Sequence, residues 1–176
     1  MAVPYKAPVK DIVFGYEVID SYNVLNKISA FSDFSEDIVV PTMEECAKFS
    51  EEVLAPINAI GDQQGATIKD GVVTMPEEFV DAYKKFAEAG WASISLPSDI
   101  GGGGMPITLS GGTLEILSTA NLAFGLAPGL SAGAISAINF HGNQEQKDKF
   151  LPKLVPGEWT GTMNLSEPQS GSDLGT

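Results

Sequence analysis

Glu158-Trp159-Thr160-Gly161-Thr162-Met163-Asn164-Leu165-Ser166 is the stretch on which the reading of the fold turns. Trp159, Gly161, Met163 and Leu165 alternate with Thr160, Thr162 and Asn164, which is strand period. Upstream, the apolar residues recur at helical spacing instead. A strand without a neighbour cannot satisfy its backbone N–H and C=O groups. The expectation is therefore an all-α orthogonal bundle ending in the first strand of a truncated β-domain.

Directly after that strand comes Ser166-Glu167-Pro168-Gln169-Ser170-Gly171-Ser172-Asp173. It offers three hydroxyls, loop amides and one glycine that permits close backbone approach. Such donors suit the carbonyls and ring nitrogens of a flavin, or a pyrophosphate. On residue types alone an ordinary turn is the plainer reading, because Gly, Pro, Ser and Asp favour turns anyway.

Working outward, residues 1–34 read as an N-terminal extension with two short helices. Asp11 is the expected cap of one carrying Ile12, Val13, Tyr16 and Ile19; Ser21 is the expected cap of one carrying Tyr22, Leu25 and Ile28. Residues 35–157 read as the helical domain. Met43, Ala47, Val53, Leu54, Ile57 and Ile60 mark a helix from about Pro41, with Pro56 predicted to kink or restart it. Asp70-Gly71 predicts a tight hairpin-like turn. Pro76 opens a second helix with Phe79, Tyr83 and Phe86 on one side and Gly90 at its end. Trp91 to Pro97 reads as extended. The four glycines of 101–104 read as an unusually floppy loop. A third helix carries Leu114, Leu117 and Asn121; a fourth runs from Pro128 to His141. Asn143 and Gln146 form a capping box for a fifth, which Pro156-Gly157 ends. Residues 158–176 begin the β-domain.

The formal net charge of −13 argues against a nucleic-acid surface, which needs clustered Lys and Arg. One cysteine and one histidine exclude a disulfide and a multi-His/Cys zinc site, so no metal is expected. No unbroken run reaches about 18 apolar residues, so no membrane-spanning helix is expected and the location reads as cytoplasmic. Cys46 reads as a small core residue and His141 as a helix-end histidine rather than a base. Phe79, Tyr83 and Phe86 read as core rather than as an acyl tunnel. Trp91 fits either the core or a site.

Trp159 to Pro168 followed by Gly171-Ser172-Asp173 resembles the signature of the acyl-CoA dehydrogenase family, in which a strand leads into a Thr-Glu-Pro-x-x-Gly-Ser-Asp loop; Ser166 stands where Thr is usual. The likeness continues upstream through Ala89-Gly90-Trp91, Gly104-Met105-Pro106, Ala120-Asn121-Leu122-Ala123-Phe124, His141-Gly142, Gln146-Lys147 and Leu151-Pro152, in family order. Tyr5-Lys6-Ala7-Pro8 through Val18 resembles the extension of the large bacterial branch that includes methylmercaptopropionyl-CoA dehydrogenases.

The resemblance implies FAD-dependent α,β-dehydrogenation of an acyl-CoA: a carboxylate takes the α-proton and a hydride leaves the β-carbon for the flavin. By carry-over, Met163, Leu165 and Ser166 border the flavin ring, Gly171 and Ser172 approach its ribityl-pyrophosphate, and Ser172 also touches the acyl-CoA. The catalytic glutamate and other flavin contacts are expected beyond Thr176, so no residue here is assigned as catalytic and 1–176 alone is expected to be inactive. An electron-transfer flavoprotein is the implied electron acceptor, and a homo-oligomer the implied full-length state. The alternatives are an acyl-CoA oxidase of the same fold, a non-enzymatic helical interaction module, and the DNA-associated flavoprotein branch, against which the charge weighs.

Overall fold

The computed structural model describes residues 4–175. Met1 to Val3 of the expected extension, and Thr176, lie outside the described residues. The chain is a helical bundle: α1 (Val9–Val18), α2 (Ser21–Leu25), α3 (Glu36–Phe49), α4 (Ala55–Gln64), α5 (Glu77–Glu88), α6 (Ile107–His141) and α7 (Gln144–Leu154), with a small hairpin of β1 (Thr67–Lys69) and β2 (Val72–Thr74).

The extension is part of the bundle. Tyr16 is buried in the core, and its hydroxyl donates to the Thr108 carbonyl at 2.6 Å. The Tyr5 hydroxyl donates to the Ile116 carbonyl at 3.0 Å. Gly112 of α6 makes room for this docking, since a Cβ there would lie 2.7 Å from the Tyr16 hydroxyl and 2.6 Å from Met43 Cε. Asp11 and Ser21 are not caps: Pro8 precedes α1, and Asp20, at φ +55°, precedes α2.

The long helix begins at Glu36 rather than near Pro41, after Ser35 in extended conformation. Acidic Glu36 and Asp37 in its first turn suit the helix dipole. Between α3 and α4 lies one π-helical turn, Ser50–Leu54, in which the Ala55 N–H reaches back to the Ser50 carbonyl. Pro56 follows at once. It lacks an N–H, and its ring would crowd the Glu52 carbonyl in a regular helix, so the wider turn is the form the expected kink takes.

In the hairpin, Thr67, Ile68 and Lys69 pair with Thr74, Val73 and Val72. Asp70 and Gly71 both have positive φ, the type I′ geometry that Asp-Gly signals. Pro76 and Gly90 bound α5 as expected, Gly90 at φ +77°.

Trp91 to Pro97 is not extended: Trp91–Ser93 is a 3₁₀ turn and a second turn follows. The glycine loop packs down onto it. Gly102, Gly103, Gly104 and Met105 donate backbone hydrogen bonds to the carbonyls of Pro97, Ser93, Leu96 and Ile94 at 2.9–3.1 Å. A Cβ on Gly102 would sit 2.2 Å from the Leu96 oxygen. The glycines serve close backbone approach, so the loop is pinned where the sequence reading expected it to be floppy.

The third and fourth helices merge into α6, broken only at Asn121, which has φ −159° and ψ 89°. The Asn121 Oδ1 accepts from the Phe124 N–H at 3.0 Å, which makes Asn121 the N-cap of the second half. Leu109, Ile116, Leu117 and Phe124 join Val39, Met43, Cys46, Leu54, Phe79 and Phe86 in the main core. Leu114, on the opposite face of the same helix, is 53% exposed. A second cluster joins Ile135 to Leu151, Leu154 and Val155 of α7 and its end. The Asn143–Gln146 capping box is present. By length and composition α6 is long and apolar enough to cross a membrane. Counting unbroken apolar runs missed this, because Ser, Thr, Asn and Gly interrupt the run. Here the first half of α6 supplies core to the bundle.

The expected strand over Trp159–Leu165 does not form: residues 160–167 carry no regular structure, and among the described residues the two strands pair with each other. Alternation sets the faces of a strand but cannot supply its ladder partner. The helical class stands; the β-domain is not built from the described residues.

Candidate functional site

The candidate segment leaves α7 through Gly157, at φ +80°, and is fastened twice before it opens out. The Trp159 N–H donates to the Lys153 carbonyl at 2.9 Å, and Lys153 Nζ meets Glu158 Oε2 at 2.5 Å. The Trp159 ring lies 6.4 Å from that of Phe150, tilted at 59°. Two residues on, the Gly161 N–H donates to Ser131 Oγ of α6 at 3.0 Å.

Beyond Gly161 the side chains face outward. Met163 is 60% and Leu165 41% exposed, and Ser166 and Ser172 are exposed. The loop then closes on itself. Glu167 N–H donates to the Ser170 carbonyl at 2.8 Å, and Gln169 Nε2 to Glu167 Oε2 at 2.7 Å. That turn brings Gly171 against Ser166: a Cβ on Gly171 would lie 2.7 Å from Ser166 Oγ and 3.5 Å from its Cβ. Asp173 Oδ1 accepts from the Gly175 N–H at 3.0 Å.

Of the five expected flavin residues, the structure thus joins Ser166 and Gly171, and leaves Met163, Leu165 and Ser172 open to solvent. Two apolar side chains beside two hydroxyls on one exposed segment fit a flat ring system with a polar rim, so the residues present are compatible with a flavin.

The remaining candidates fall into other roles. Cys46 is fully buried, its Sγ 3.7 Å from the Thr113 carbonyl, and burial pushes its thiol up to about 12. Phe79 and Phe86 are buried, as expected of core. His141 is exposed at the end of α6, beside a cavity of about 330 Å³ that Gln146 and Phe150 also line. Trp91 packs against the main core and lines a separate cavity of about 340 Å³. Among the described residues no cluster of three or more His, Cys, Asp or Glu could hold a metal.

Glu51 reads from the sequence as part of the solvated face of the long helix, with Glu44, Glu45 and Glu52. It binds the extension: Oε1 accepts from the Ala7 N–H at 3.0 Å and Oε2 pairs with Lys6. Lys6 first, and the Ala7 amide second, hold its carboxyl below the usual range. An apolar groove of about 780 Å³ between α5 and the second half of α6, lined by Phe79, Tyr83, Phe124 and Ala127 and reaching Gly157, went unread. Tyr83, expected in the core, does both: it is half-buried against Phe86 and Phe124 and also lines this groove. Ser131 had no signal at all, being one small residue in an Ala/Gly/Ser-rich helix.

A family profile described as acyl-CoA dehydrogenase, N-terminal domain, matches residues 41–158. The 3-methylmercaptopropionyl-CoA dehydrogenase of Ruegeria pomeroyi is 41% identical over 170 residues, covering 97% of this chain and 29% of that protein. A butyryl-CoA dehydrogenase of Syntrophomonas wolfei is 32% identical over 175 residues, 97% of this chain and 28% of the relative. The mitochondrial isovaleryl-CoA dehydrogenase of Bos taurus is 33% identical over 129 residues, 73% and 28% respectively. The chain belongs to the acyl-CoA dehydrogenase family. It spans less than a third of the length of these relatives.

Proposed function

We propose that the protein carrying this chain performs FAD-dependent α,β-dehydrogenation of an acyl-CoA thioester to the enoyl-CoA, with Met163 to Ser172 placed against the flavin. The observation that supports this reading best is the closed Ser166–Gly171 loop, with Met163 and Leu165 exposed beside it. The names of the relatives, all acyl-CoA dehydrogenases, support the substrate class.

FAD, when bound, supplies the acceptor for the hydride that leaves the substrate β-carbon. The chain's own residues bind and orient. Met163 and Leu165 cover the ring and exclude water from it. The Ser166 hydroxyl donates to the ring's polar rim, where negative charge develops on reduction. Gly171, lacking a Cβ, lets the backbone approach the ribityl-pyrophosphate. Ser172 contacts both that region and the acyl-CoA. None of the glutamates of 1–176 is assigned as the base; Glu51, for one, is held ionised by Lys6 and committed to the Ala7 amide. The proposal includes an electron-transfer flavoprotein as acceptor and a homo-oligomeric state.

The test is anaerobic addition of saturated acyl-CoA thioesters to the flavin-loaded protein. Bleaching of the visible flavin absorbance, with enoyl-CoA as product, is expected. A flavin that stays oxidised with every acyl chain length would contradict the proposal.

A further inference from the structure

Ser131 lies on the second half of α6, buried, with no part in the family signature. Its hydroxyl is engaged on both sides. Ser131 Oγ donates to the Ala127 carbonyl one turn back at 2.9 Å, which fixes its rotamer and turns a lone pair outward. That lone pair accepts the Gly161 N–H at 3.0 Å. Gly161 itself sits on the helix backbone: a Cβ there would lie 2.5 Å from Ala134 Cβ and 3.2 Å from Ser131 Cα. The segment therefore meets α6 at one spot, with a hydrogen bond to set its register and a missing side chain to set its height. Met163 is two residues further along, and Ser166 five.

We infer that Ser131 is the positioning residue for the flavin-facing segment, fixing through Gly161 where Met163, Leu165 and Ser166 stand relative to α6. This rests on the flavin reading given above. Its role is conveyed through the backbone, so it differs from that of a residue touching the cofactor. Without the bond, residues 161–166 keep their sequence and lose their register.

Amide exchange of the protein, read by NMR, tests this without any flavin. Ser131→Ala should speed exchange at Gly161 by about tenfold, the loss of one hydrogen bond. It should also shift the resonances of 162–166, while the core amides of Phe124 and Ile135 keep wild-type rates. Ser131→Thr, which retains the hydroxyl, should stay within about twofold of wild type at Gly161, on the same hydrogen-bond basis. Wild-type exchange at Gly161 in Ser131→Ala would overturn the inference; so would equal acceleration at Gly161 and Ile135, the mark of general loosening. Should Ser131→Ala fail to fold, Gly161→Ala carries the test: it must displace 162–166, and unchanged resonances there would overturn the inference. FAD uptake by the wild type is scored separately. Its failure alongside the expected exchange result would count against the flavin reading and leave the Ser131 tie supported.

Discussion

Asn121 and Leu54, 67 residues apart in sequence, are joined in the core: Asn121 Nδ2 donates to the Leu54 carbonyl at 3.1 Å. The same amide caps the second half of α6 through its Oδ1, so one buried side chain holds both the break in α6 and the π-helical turn between α3 and α4. The segment that follows α7 docks on the helix half whose direction this residue sets.

Asn121→Ala removes a cap and leaves the Leu54 carbonyl without that donor. A cap is worth about 1 kcal/mol and one more buried hydrogen bond about 0.5–1.5 kcal/mol, so a loss of about 1.5–2.5 kcal/mol is expected in urea unfolding. A loss under about 0.5 kcal/mol, the size of an ordinary surface change, would refute the bridging role.

Gly102 of the loop and Gly111 of α6 should respond in opposite directions to the same substitution. Gly102→Ala forces a Cβ into the Leu96 carbonyl and should cost about 1–3 kcal/mol or more. Gly111→Ala lies on an exposed helical face with nothing within 4 Å and should gain about 0.5–1 kcal/mol. Thermal unfolding of the pair decides the matter; equal effects would mean that the loop is not pinned.

Cys46 predicts a pH dependence. Its folded value, pushed to about 12 by burial, is above that of an unfolded thiol, about 8.5. The neutral thiol's contribution is then fully present below about pH 8.5 and is lost as pH rises towards 12. Four buried or half-buried tyrosines, 5, 16, 22 and 83, also titrate high, each chiefly through burial, so the cysteine is best isolated between about pH 8.5 and 10. Over that window wild-type stability should fall while Cys46→Ala stays flat. Parallel curves would mean the thiol is not buried in solution.

Glu51 predicts the opposite sign. Its carboxyl is held low by Lys6, so the tie to the extension is present above the unfolded value of about 4.3 and is lost as pH falls through the folded value. Glu51→Ala should expose Lys6 and Lys10 to faster tryptic cleavage at neutral pH. Wild-type cleavage rates in the variant would show that the extension is held by Tyr5 and Tyr16 alone.

Helix existence was legible wherever one face is apolar and an end is marked: α5 between Pro76 and Gly90, and α7 behind its capping box, follow their sequence signals closely. The Asp70-Gly71 turn was legible because few dipeptides tolerate two positive φ values in succession. The π-helical turn was half legible: Pro56 announces a disturbance but not its form. The pinned glycine loop and the Asn121 bridge were not legible, since both depend on carbonyls brought close by tertiary packing. Within the site, the turn residues could be read from composition, whereas the Ser131–Gly161 tie has no local pattern. The Trp159–Leu165 alternation has no ladder partner among the described residues, since period is a local property and pairing is not.

Whether Met163 to Ser172 faces a flavin is decided by titrating FAD into the wild-type protein and Ser166→Ala while recording visible absorption. A perturbed, saturable flavin spectrum is expected for the wild type, with binding about five- to tenfold weaker in Ser166→Ala, the worth of one hydrogen bond. A wild-type protein that leaves the FAD spectrum unchanged, or a Ser166→Ala variant that binds FAD as tightly as wild type, would contradict it.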